Sequence, residues 1–174
     1  KLNKEYGIAI PNMSFLVGKL ESGETAMYTV IDMIHGKSLS ETEKFPDEAE
    51  ATLDTFYANM ARYYADAYRT GGDYWWDFHN DQFVMGHKKG ETKDQVYLVD
   101  VEPRMYKRDY KDQQPKTDAL RRLRQVFEYA EESEKKFSKP VRFILTRDTL
   151  KNALKNVREE DKDSLVVEAF RRRL

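Results

Sequence analysis

The amino-acid sequence predicts an α+β fold that is mainly α, and three observations predict it. Two runs rich in Val, Phe, Tyr and Ile, "MSFLVGKL" and "AMYTVIDMI", flank the turn "ESGE", the pattern of a β-hairpin. A segment opening at Pro46-Asp47 carries apolar residues at helical spacing through about Arg69. Beyond Pro115, further stretches repeat that spacing with charged residues between the apolar ones. The chain has 174 residues, the length of a single domain that can bury its own core.

Taken in order, the first hairpin turns at Gly23, and "HGKSLSE" follows as a loop in which Ser38 or Ser40 caps a short helix. In the long helix, Leu53, Phe56, Tyr57, Met60, Tyr64, Ala67 and Tyr68 recur on one side. Gly71-Gly72 ends it, because glycine accepts the left-handed backbone that closes a helix. "QFVMG" and "QVYLVDV" form a second hairpin joined by "HKKGETKD". Arg104 to Pro115 is charged and irregular. Thr117 to Phe137 is helical, with Leu120, Leu123, Phe127, Ala130 and Phe137 on one face, and Pro140 breaks it. "VRFIL" fits either a strand or a helix. Asp148 to Arg158 and Asp163 to Arg173 are two more helices, lined by Leu150, Ala153, Leu154 and Val157 and by Val166, Ala169 and Phe170.

Composition narrows the function. There is no cysteine, which excludes disulfides and cysteine metal sites. Charged residues make up 35% with a net charge of -1, so no bulk field draws the chain to nucleic acid or membrane. The runs "RRLR" at 121–124 and "RRR" at 171–173 sit among glutamates and are expected to form ion pairs. No apolar run reaches the ~18 residues of a membrane span. The expectation is a cytoplasmic protein with neither nucleic-acid nor membrane partners.

The stretch "GGDYWWDFHNDQFVMG" concentrates the chemistry. Asp77 and Gln82 flank a short loop that enters the first strand of the second hairpin, and Asp100 ends the second strand. A hairpin brings those two ends together. Two carboxylates and an amide oxygen around one space suit Mg²⁺ held against phosphates, and a third carboxylate can take a proton from an attacking hydroxyl. Trp75 and Trp76 either cover a core edge or stack on a ligand. Glu102 is either a further Mg²⁺ ligand or an ion-pair partner of Arg104.

"WWDFHNDQFVMG", "LVDVEP" and "IDMIHGKSL" together resemble the catalytic loop, metal motif and interlobe hinge of kinase-like phosphotransferases of the aminoglycoside and choline kinase type. The resemblance spans about Phe15 to Glu102. It implies a protein-kinase-like C-terminal lobe with an N-terminal β-hairpin, in which 1–36 are hairpin and hinge-like segment and 37–174 the helical lobe. By that resemblance Asp77 orients the acceptor hydroxyl. Gln82 and Asp100 ligate Mg²⁺ on ATP. Backbone groups of Asp32, Met33 and Ile34 meet the adenine, and His79 supports the loop. The partners would be a nucleotide and a hydroxyl-bearing acceptor.

Gln82 stands where the family has Asn, Val101-Glu102-Pro103 where it has Phe-Gly, and Trp75-Trp76 where it has His-Gly. A second register sets His79-Asn80-Asp81 at the His-Asp position. No Gly-rich loop and strand lysine precede the hairpin, so the resemblance implies an incomplete N-terminal lobe. The rival expectations are a catalytically inactive kinase-like module that binds a protein partner, and a metal-dependent hydrolase using Asp77, His79, Asp81 and Asp100.

Overall fold

In the computed structural model, the residues described are 2–71, 74–75, 78–100, 115–162 and 164–174, with backbone alone for 115–117. The chain starts with a short helix, α1 (Leu2–Tyr6), closed by Gly7 in the left-handed conformation. Residues 8–10, for which the sequence carries no periodic signal, then run beside the last strand of the second hairpin. Ala9 bridges Tyr97 in parallel, and its carbonyl accepts from Leu98 N at 2.9 Å.

The first hairpin forms as predicted. Strand β1 (Met13–Lys19) pairs with β2 (Thr25–Ile31) in an unbroken antiparallel register from Met13↔Ile31 to Lys19↔Thr25. Its apolar side chains do not enter the core: Phe15 is 53% exposed, Val17 73% and Met27 70%. The root of the hairpin is clasped. Asp32 N donates to Asn12 O, and the Asp32 carboxylate accepts from Asn12 Nδ2 at 2.7 Å and pairs with Lys88 Nζ at 3.3 Å.

The predicted loop at 36 is instead a strand. β3 (Ile34–Ser38) pairs antiparallel with β4 (Phe83–Lys88), which pairs with β5 (Gln95–Leu98). This strand crosses the predicted junction between residues 36 and 37. Gly36 and Gly86 face each other in the register, and the backbones come too close for any side chain there. A Cβ on Gly86 would lie 2.2 Å from His35 O, and one on Gly36 2.1 Å from Met85 O. Small residues that look like loop punctuation are what lets the strands meet. Ser38 caps no helix; its Oγ accepts from Glu41 N in a turn.

The core is built around α2 (Glu50–Thr70), preceded by a 3₁₀ turn at Asp47–Ala49. Gly71 closes α2 in the left-handed conformation, donating to Ala67 O, as its sequence position predicts. Two further helices pack on α2: α3 (Pro115–Glu134) and α4 (Ile144–Lys155). The terminal α5 (Leu165–Arg171) lies against α3, with Phe170 beside Phe127. No described helix is long and apolar enough to cross a membrane.

Helix α4 begins four residues before the predicted start at Asp148. Phe143, at its N-cap, has no side-chain oxygen to offer. The missing acceptor comes from α2: Asp54 takes hydrogen bonds from Leu145 N at 3.0 Å and from Thr146 N at 2.7 Å and Oγ1 at 2.8 Å. Glu134 accepts from Phe143 N at 2.6 Å. A cap supplied from 91 residues away has no local sequence signature. Asp54→Ala therefore removes the cap of a distant helix and is expected to cost about 1–2 kcal/mol, measured by urea denaturation; Asp54→Asn retains part of that.

Candidate functional site

The loop between α2 and β4 is held by side chains from the two helices beneath it. From α2, the Tyr63 hydroxyl accepts from Trp75 N at 2.6 Å, and the Tyr64 hydroxyl donates to Trp75 O at 2.8 Å. The Tyr57 hydroxyl reaches Asn80 Oδ1 at 3.4 Å and Ser133 Oγ at 2.8 Å. From α3, Gln125 Nε2 donates to Phe78 O at 2.9 Å, and Asp118 accepts from the Tyr74 hydroxyl. Tyrosine suits this work because its ring is apolar and its tip is polar.

Under the loop, Trp75, Phe78 and Phe83 are fully buried. Their rings meet edge to face, with centroids 5.4–6.2 Å apart. Trp75 thus covers the core, one of the two roles its sequence context allowed. Residues 74–75 and 78–83 are fixed on both sides of Asp77. Asp77 itself lies outside the described residues, as do Trp76, Glu102 and Arg104.

The loop ends in a 3₁₀ turn, Asn80–Gln82, in which Gln82 N donates to His79 O at 3.1 Å. Gln82 is buried, while His79 and Asp81 are exposed. The hairpin then does what the sequence led one to expect. Val99 N donates to Gln82 O at 2.9 Å, extending the β4–β5 ladder by one step. Asp100, exposed, follows directly. The backbones carrying Gln82 and Asp100 are therefore neighbours, and their amide and carboxylate oxygens are the hard donors that Mg²⁺ takes. Among the described residues, no three His, Asp or Glu side chains gather as a metal-binding group.

At the predicted adenine segment, Asp32 is occupied with the hairpin root, and Lys88 holds its carboxyl below the usual carboxylate range. Ile34 opens β3 opposite Lys88. Met33 lies between the two ladders and is 72% exposed. Four of the six arginines in the two runs pair with acids: Arg121 with Asp118, Arg124 with Glu128, Arg172 with Glu168 and Arg173 with Glu128.

The residues that sequence reasoning missed are the holders Tyr63, Asp118 and Gln125, with Tyr57 and Tyr64 read only as apolar core positions. A trace exists in "FYANMARYYADAY", where tyrosines sit on the otherwise apolar buried side of the helix. Such hydroxyls need partners.

Tyr64→Phe removes one donor to the loop and is expected to cost about 1 kcal/mol in urea denaturation, with faster amide exchange along 74–82. The tyrosines also set an alkaline limit. Burial raises the Tyr57 and Tyr64 hydroxyls well above the usual range, and burial with the bond to Asp118 raises Tyr74. Burial and the bond to Glu91 push Tyr97 up to about 12. A raised folded value means the stabilisation is complete below the unfolded tyrosine value of about 10 and is lost as pH rises beyond it. Urea midpoints are expected to hold between about pH 8 and 9 and to fall above about 10. Phenolate absorbance should show these tyrosines ionising only as the chain unfolds.

Comparison with models of protein families finds none that matches this chain, and comparison with curated proteins finds none either.

Proposed function

We propose that the chain is the helical lobe of a kinase-like phosphotransferase that uses Mg²⁺ and ATP to phosphorylate a hydroxyl acceptor. The observation that supports it most is the backbone bond from Val99 to Gln82, which sets Asp100 beside Gln82 at the end of a loop anchored to two helices. Phosphoryl transfer asks little covalent chemistry of a protein; it asks for fixed positions and charge. The anchored loop meets that demand.

In this reading Gln82 and Asp100 hold Mg²⁺, and the bound Mg²⁺·ATP supplies the phosphoryl group. Asp77 accepts a hydrogen bond from the acceptor hydroxyl, orients it and takes its proton. Met33, an exposed residue, offers its backbone groups to the base, while Asp32 is kept in the clasp with Asn12 and Lys88. The substitution of Gln for Asn and the proline three residues after Asp100 favour a second reading, a kinase-like module that binds without catalysis.

Calorimetry and thermal melts with ATP and MgCl₂ test both. Ligand at about 100 times its dissociation constant is expected to add about 2.7 kcal/mol of stability, and Asp100→Ala to abolish the gain. Asp77→Ala is expected to keep nucleotide binding and lower transfer by about 10²–10⁴-fold. A flat trace from the unmutated chain overturns the nucleotide site. Binding without transfer selects the inactive module.

A further inference from the structure

Helix α4 and the C-terminal segment carry a second feature, in which none of the loop or hairpin residues of the candidate site takes part. Lys151, Leu154 and Lys155 fall three and four residues apart on α4 and so share one face. With Lys162, Arg171 and Leu174 they line a depression of about 500 Å³. Four cations ring two half-buried leucines.

The charge in this depression is unbalanced. Lys162 pairs with Glu159; Lys151, Lys155 and Arg171 pair with no acid among the described residues. Other basic groups do find acids: Arg147 pairs with Glu131 and Glu134, Arg158 with Glu160 and Asp161, and Lys139 with Asp47 and Glu50. Lys151 and Lys155, one turn apart, repel each other. A chain of net charge -1 that gathers unmatched cations around a recessed apolar floor is complementary to carboxylates flanking an apolar side chain. The leucines are recessed and offer nothing to insert into a bilayer.

We propose that this depression docks an acidic peptide segment of a partner protein, with its carboxylates on Lys151, Lys155, Lys162 and Arg171 and a leucine-like side chain on Leu154 and Leu174. Such a contact is electrostatically steered and salt-sensitive.

The probe is a fluorescein-labelled peptide of repeated Glu-Glu-Leu triplets, followed by anisotropy against the full chain without nucleotide. Saturable binding is expected, weakened about ten-fold by K151E/K155E, a change of the size that two exposed charge contacts carry. The same peptide with Gly for Leu should bind several-fold more weakly, and a Lys-Lys-Leu peptide not at all. Both lysines are exposed, so the melting temperature of the variant is expected to match that of the parent. Absence of saturable binding overturns the proposal, as does equal binding by K151E/K155E. Binding to phosphatidylserine vesicles with the peptide left free also overturns it.

Discussion

Two tyrosine hydroxyls gripping the two ends of one residue's backbone are what the candidate site depends on. Tyr63 takes the Trp75 N–H, and Tyr64 gives to the Trp75 carbonyl. A loop running over a packed core must satisfy its own peptide groups or pay their desolvation. Here neighbouring tyrosines on α2 do it, so the backbone is set before any ligand arrives. The Trp75 ring is thereby seated on Phe78 and Phe83, and the start of β4 is tied to the same cluster. Loop position and core packing are one arrangement.

The same device recurs across the fold. Polar groups needed by one element are supplied by another far away in sequence. Asp54 on α2 caps α4, Gln125 on α3 holds Phe78, and Lys136 Nζ reaches back to Leu39 O at 2.8 Å. Helix α2 supplies Asp54 and the tyrosines that hold Trp75, and its buried face meets α3 and α4. Loss of the Asp54 or the Gln125 bond is felt at two elements at once, because each joins a terminus or loop to a helix that is already packed.

How much of this was legible follows the range of the cause. The first hairpin, the body of α2, its end at Gly71 and the second hairpin are set by local pattern and turn chemistry, and all appear close to where the sequence puts them. The neighbourhood of Gln82 and Asp100 was legible for the same reason, since a hairpin's geometry is local. β3 was not, because "IHGKS" has no alternation of its own and becomes a strand by pairing with β4. The start of α4 was not, because its cap comes from Asp54. The apolar runs of β1 and β2 gave the strands correctly and their burial wrongly: strand propensity registers a pleated surface, not what covers it.

The clasp of Asn12, Asp32 and Lys88 has an architectural corollary. The polypeptide enters and leaves the first hairpin through a single tethered neck. At the opposite end, Gly23 has no neighbouring atom within 4 Å of where a side chain would begin. Length changes at that tip are insulated from the helical body by seven paired rungs and a fastened base. The tip is thus a natural splice point, where a foreign segment would extend the molecule outward and leave the helices undisturbed.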